Sequence, residues 1–355
     1  MHDIAQPRIA RDAHHDVLIV IPTIATPRVL VPAFARLLQH LDGLRVHVVL
    51  SINPKLEADG KRSQADCLRL WDSMVPEDKG CTLTVYNHGQ LAGFGGAINL
   101  GLHAVLNTRA GMQYRTSRSP VGGPQPLADQ KCATGDGTEA WGVPPLTVIY
   151  NDDLVATKGW LDGLLRALES EVVYEWSELA KQDPDTLMWS RPQRRMADYG
   201  RVGLVGPASN CAAGIQQIDG TKEDLDALGW DGFAAHWRAK AACTVLTATF
   251  LSGFCLGITD ECLEALAAYT VEGTAAEIRF RHTGEVEVDV QPGSVGQPRF
   301  AWLFDERYVV AGYEDNDLAM RADVAGFRAI VAGDTFMGHL GHQSFDSAFP
   351  DWQRG

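Results

Sequence analysis

The chain has 355 residues and is 45% hydrophobic, enough for a substantial buried core and long for a single domain. A formal net charge of −14 excludes a wholly basic nucleic-acid-binding surface, while leaving room for local basic patches. Seven scattered cysteines without a CxxC pair read as reduced thiols rather than a disulfide framework or zinc site, no apolar run approaches the ~18 residues of a membrane span, and Met1 to Asp16 lacks a signal-peptide core, so the expected compartment is the cytoplasm.

Val17 to Ile21 predicts a first strand, ended by Pro22 and Thr23. Leu30, Phe34, Leu37, Leu38 and Leu41 recur at three or four and predict a helix; Pro27 and Pro32 suit a turn and a helix start. Val46 to Ile52 predicts a second strand broken by Asn53-Pro54, Ala65 to Met74 a second helix, and Thr82 to Tyr86 a third strand. This alternation predicts an α/β fold with a mostly parallel sheet flanked by helices. Asn87 to Gly101 is rich in glycine; Gly93 and Gly95 allow close backbone approach to a ligand, or merely tight helix packing.

Arg109 to Pro145 has no periodicity and predicts an exposed insertion, basic in its first half. Leu146 to Tyr150 then predicts a buried strand that stops in Asp152 and Asp153, before a helical stripe of Trp160, Leu161, Leu164, Leu165 and Leu168. Open α/β sheets place ligands at such strand ends, and adjacent carboxylates suit a hard divalent cation, which suits a diphosphate. The same pair would also serve as a solvated turn and helix cap.

Glu175 to Gly200 reads as a second insertion, with Arg191, Arg194 and Arg195 near its end and Arg201 beyond. These arginines would grip a polyanion, or stand as ordinary solvated charge. Val202 to Pro207 and Thr244 to Phe250 predict strands, Gly229 to Ala241 a helical stretch, and Thr259 or Asp260 the cap of a helix through Leu266. Glu272 to Pro298 predicts a hairpin or irregular insertion. Glu314, Asp315 and Asp317 open a helix that Gly326 stops. Three carboxylates in four residues exceed what capping needs, and one of them would serve as a general base. His339 and His342 follow near the end of the chain.

Taken together these segments resemble the inverting family 2 glycosyltransferases of the GT-A fold. The likeness runs in order through Val17 to Thr23, Asn87 to Gly101, Tyr150-Asn151-Asp152-Asp153 with Gly159-Trp160-Leu161, Gly203 to Asn210, Ser252 to Cys255, Glu314 to Leu318 with Arg321 and Gly326, and His339 to Phe345. It implies one GT-A domain over residues 1–355. A nucleotide-sugar half would span about 15–171 and an acceptor and catalytic half about 201–346, with insertions near 109–145, 175–200 and 270–299. The resemblance gives Asp153 to a metal, Mn²⁺ or Mg²⁺, with His339 as second ligand and His342 as its competitor. Asp152 would reach the ribose or diphosphate, Pro22 and Thr23 would border the nucleotide, and Asn53 would lie near the base. Gly93, Gly95 and Asn99 complete the donor side. Asp315 becomes the general base and Glu314 an acceptor contact, with Gly253 and Phe254 on the acceptor side. The insertion at 175–200 has no family equivalent, and its charge alone adds Arg194 and Arg195 to that side. The implied donor is a nucleotide sugar, a uridine diphosphate sugar first, although Asn53 stands where the family often carries an aspartate.

The implied reaction is a single displacement at the anomeric carbon with inversion, onto a saccharide hydroxyl. The alternatives are a hydroxymethylated DNA base, held by the two basic insertions, and a non-catalytic nucleotide-sugar-binding protein.

Overall fold

The computed structural model describes residues 15–341 except 25, 42, 55–56, 77–80, 88–92, 107–144, 176–192, 220, 242–243, 272–276, 281–285, 289–297, 307 and 309–311. The first half alternates as expected: β1 (Val17–Thr23), α1 (Pro27–Gln39), β2 (Val46–Ile52), α2 (Glu57–Met74), β3 (Thr82–Asn87), α3 (Gly93–Leu106) and β4 (Leu146–Tyr150). Then come β5 (Leu154–Val155), α4 (Trp160–Leu168), β6 (Val172–Tyr174), β7 (Gln193–Arg195), α5 (Met196–Tyr199), β8 (Arg201–Ser209) and α6 (Thr221–Lys240). The chain continues through β9 (Val245–Ala248), β10 (Cys255–Thr259), α7 (Asp260–Leu266), β11 (Ala268–Val271), β12 (Glu277–Phe280), β13 (Val286–Val288), β14 (Pro298–Trp302), α8 (Glu314–Val324) and β15 (Phe327–His339).

The main sheet runs β3-β2-β1-β4-β10-β8-β15-β9-β6-β7, with β5 paired to β15. It is parallel from β3 to β4. β10 then runs antiparallel to both β4 and β8, and β15 runs parallel to β8. Two reversals restore the direction, so β4, β8 and β15 all point the same way. Their carboxyl ends therefore share an edge with those of β1 and β2. β11 to β14 form a separate antiparallel sheet where an irregular insertion was one expectation.

Strand alternation sorts the core onto the two faces of the sheet. Val17, Ile19 and Ile21 join one cluster with Leu30 and Phe34 of α1 and Trp160 and Leu164 of α4. Leu18 and Val20 join the other with Ile98 of α3, Leu263 of α7 and Leu318 of α8. Gly163 is needed where α4 lies on β15, because a Cβ there would fall 2.1 Å from Thr335 Oγ1.

Three boundaries differ from the sequence reading. α2 starts at Glu57 rather than Ala65, since its polar first turns carry little apolar periodicity. Pro27 sits at the helix start as expected, but Pro32 lies inside α1. α6 begins at Thr221 and is broken at Gly229, whose φ of 67° interrupts the helical backbone. The segment 109–144 and residues 176–192 of the second insertion lie outside the described residues.

Candidate active site

The carboxyl ends of β1, β2 and β4 gather four of the expected donor-side residues. The register of β1 on β4 carries Thr23 to the level of Asp152, and the Thr23 hydroxyl donates to the Asp152 carboxylate. Asn53 is anchored beside them, its backbone N–H donating to the Thr23 carbonyl at 2.8 Å and its Nδ2 to the same oxygen at 3.3 Å. Pro22 precedes Thr23 on the strand, opposite Ser51. Asp152 thus turns towards β1, and the adjacent Asp153 turns the other way.

Asp153 is 3% exposed and faces His339, the last residue of β15, which is 9% exposed. β5 pairs with β15 so that Leu154 lies opposite His339, and the Leu340 N–H donates to the Asp153 carbonyl at 3.1 Å. His339 Nε2 stands 3.3 Å from Asp153 Oδ1. Its Nδ1 donates to the Cys211 carbonyl at 2.6 Å. That bond keeps a proton on Nδ1 and turns Nε2 to Asp153, so Nε2 carries a proton towards the carboxylate in the imidazolium and offers its lone pair only in the neutral ring, the form that ligates metals. Asn210 braces the same residue from both sides: its Oδ1 accepts the His339 N–H at 2.9 Å and its Nδ2 donates to the His339 carbonyl at 2.9 Å. The Phe254 ring lies nearly parallel to the imidazole, with centroids 5.2 Å apart. Burial pulls the His339 pKa down, but the hydrogen bond and charge of Asp153 outweigh it and hold the imidazole above its usual value.

Asp153 and His339 fit a divalent cation: a carboxylate and a nitrogen lone pair converge, and the histidine is oriented from behind. Among the described residues, no group of three or more His, Cys, Asp or Glu side chains gathers at such a point. His342 lies outside the described residues.

The turn Gly253–Phe254, at the amino end of β10, joins this pair to α8. The Phe254 carbonyl accepts the Asn151 N–H at 3.0 Å, and the Gly253 N–H donates to Asp315 Oδ2 at 2.9 Å. Asp315 Oδ1 accepts the Asn316 N–H at 2.8 Å. Both carboxylate oxygens are thereby aimed by backbone. Glu314 beside it is 6% exposed, and its Oε2 has no hydrogen-bond partner among the described residues. Burial, then the charge of Asp315, raises its pKa above the ordinary glutamate value. Tyr313, which caps the helix, has a φ of 71° and is 73% exposed. A left-handed backbone costs a residue with a Cβ about 1–2 kcal/mol.

Other expected residues stand apart from this cluster. Asn99 is committed to packing: its Oδ1 accepts the Leu303 and Phe304 N–H groups, and its Nδ2 donates to the Phe304 carbonyl and Glu306. All four bonding positions of the amide are filled, which corrects its donor-binding reading. Gly95 likewise makes room for Phe304, whose Cβ would lie 3.1 Å from an added Cβ. Gly93 opens α3. Arg194 and Arg195 are on β7, the edge strand, where Arg194 pairs with Glu175. β7 is three strands from β15, roughly 14 Å across the sheet at the spacing of neighbouring strands, and level with the middle of β15 rather than with its carboxyl end. The structure thus places them apart from the Asp153–His339 pair, on a strand chosen for the acceptor side by its charge. A groove of about 770 Å³, lined by Val29, Pro32, Leu228, Trp230 and Leu340, contains neither the Asp153–His339 pair nor the 314–315 pair. Gly338 packs on Trp230, so alternation along β15 puts the groove on the opposite face of the strand from His339. Asn210 and Cys211 are the contributors that sequence reasoning left without a role; Asn210 closes the Gly203–Asn210 stretch of the family likeness, and Cys211 had no signal beyond its place after a buried strand.

No protein-family model matches the chain, and no curated protein matches it. Among solved structures, it is similar to the mannosyltransferase PcManGT from Pyrobaculum calidifontis in complex with GDP-Man and Mn²⁺, at 15% identity and a TM-score of 0.41, over 98% of this chain and 67% of that one. It is also similar to GalNAc-T7 with UDP, GalNAc and Mn²⁺, at 8% identity and a TM-score of 0.42, over 98% of this chain and 49% of that one. The chain thus spans about half the length of the second. These similarities are too loose to transfer the role of any residue. Among the described residues no helix is long and apolar enough to cross a membrane.

Proposed function

We propose that the chain is a metal-dependent glycosyltransferase of the GT-A type, moving a sugar with inversion from a nucleotide-sugar donor to a saccharide hydroxyl. The observation that carries this reading is the Gly253–Phe254 turn, which ties the Asp153–His339 pair to a backbone-aimed Asp315. Asp153 and His339 would hold Mn²⁺ or Mg²⁺, and such a cation supplies neutralising charge for a leaving diphosphate. Pro22, Thr23 and Asn53 border the nucleotide, and Asp152, steadied by Thr23, meets its ribose.

Asp315 accepts the proton of the acceptor hydroxyl as its oxygen attacks the anomeric carbon. The bond from that carbon to the diphosphate breaks, and the electron pair leaves with the nucleoside diphosphate. No carboxylate nucleophile is required, so one displacement inverts the centre. Of the basic residues that motivated a DNA acceptor, Arg194 and Arg195 stand on the edge strand β7, where Arg194 is paired with Glu175, and the first basic insertion lies outside the described residues.

The test is a panel of nucleotide sugars incubated with Mn²⁺ or with a chelator, with saccharides and hydroxymethylated duplex DNA as acceptors. Mn²⁺-dependent release of nucleoside diphosphate, with product on a saccharide, is expected. Release from no donor would refute the reading.

A further inference from the structure

Tyr313 is the sole non-glycine with a positive φ among the described residues. Gly312 before it also has a positive φ, of 107°, so glycine already serves this turn once. A second glycine at 313 would relieve the backbone. Instead the position carries a large aromatic ring that is mostly exposed and gains little core contact in return. Strain retained beside a cluster of chemically competent groups points to use rather than to packing.

The neighbouring groups indicate what the ring meets. Glu314 is more than nine-tenths buried, and its Oε2 has no partner among the described residues, a hydrogen-bonding position beside Tyr313 in the same turn. Asp315 is aimed by the Gly253 N–H. The surroundings are acidic: Asp305, Glu306, Glu314, Asp315 and Asp317 lie in the described parts of 303–321, and Arg321 is ion-paired with Asp317 at 2.8 Å. Such a field disfavours an acceptor that brings its own phosphates without a cation and suits a neutral polyol. An exposed aromatic face takes the apolar C–H face of a pyranose, while the carboxylates take its hydroxyls.

We propose that Tyr313 is the platform on which the acceptor sugar ring stacks, directing one of its hydroxyls to the Glu314–Asp315 pair. This rests on the glycosyl-transfer reading above and adds to it the residue that selects a neutral pyranose acceptor.

The test uses Tyr313→Phe, Tyr313→Ala and Tyr313→Gly, with methyl glycosides of common pyranoses as acceptors. Tyr313→Phe keeps the acceptor KM within about twofold. The alanine and glycine variants raise it about tenfold, a change of ~1.4 kcal/mol, and the effect falls on KM rather than kcat. Tyr313→Gly melts no lower than the parent protein, because its backbone strain is relieved. An unmoved acceptor KM in both small variants overturns the proposal. So does a markedly lower melting temperature for Tyr313→Gly, which would make the ring structural, or transfer to hydroxymethylated DNA but to no methyl glycoside. If the parent protein cleaves no donor, both readings fall. If it cleaves donor and the KM is unmoved, this one falls alone.

Discussion

Replacing Asn210 with alanine separates the bracing of His339 from its chemistry. The Asn210 amide makes two bonds of 2.9 Å to the backbone of His339 and touches neither Asp153 nor the imidazole ring by any described bond. Each such bond contributes ~1 kcal/mol net, so their joint loss costs about 2 kcal/mol of stability, a few degrees in melting temperature. The larger consequence is positional. The end of β15 is freed, and Nε2 is no longer held at 3.3 Å from Asp153. Groups that orient a metal ligand from behind are worth about 10–100-fold in metal affinity. Titration calorimetry of Mn²⁺, with uridine or guanosine diphosphate present, reads this directly. Asn210→Asp falls between, since it still accepts the His339 N–H but cannot donate to its carbonyl. If Asn210→Ala binds Mn²⁺ within twofold of the parent protein, the bracing argument is wrong.

Two further outcomes follow from the same geometry. The His339 pKa is raised in the metal-free fold, so its stabilising contact with Asp153 is complete below about 6.5, the unfolded value, and is lost as pH rises through the higher folded value. Over that window the metal-free protein should lose melting temperature while Mn²⁺ affinity rises, because the neutral imidazole is the ligand; the same melting slope in His339→Gln would contradict the assignment. Asp315→Asn should keep donor binding and lower transfer by about 10²–10⁴-fold, the usual worth of a general base, and near-parental turnover would remove Asp315 from that role.

Local rules made the first half of the fold legible. β1, β2 and β4 are buried on both faces, so each reads as a continuous apolar run bounded by breakers. β15 gives no continuous apolar run, because Gly333, Asp334 and Thr335 interrupt it where its register on β8 shifts. Without that strand, His339 looks like a residue in a tail. Its bond to Asn210 joins positions 129 apart, which no local pattern reveals. Asn99 shows the opposite error: an asparagine in a glycine-rich segment looks like a ligand contact, and only the three-dimensional fold shows its amide already filled by residues some 205 positions away. The charge of Arg194 and Arg195 suggests a polyanion and says nothing of the edge strand that carries them. Asp152 and Asp153 were legible as a pair, but not their divergence towards Thr23 and His339.

The central claim is that Asp153 and His339 together seat the cation that a sugar-nucleotide donor requires. The most direct measurement is Mn²⁺-dependent release of nucleoside diphosphate across the donor panel, comparing the parent protein with Asp153→Asn and His339→Gln. The geometry predicts release from at least one donor by the parent protein, abolished by a chelator and by Asp153→Asn, and strongly reduced by His339→Gln. Undiminished, metal-dependent release by Asp153→Asn would contradict it.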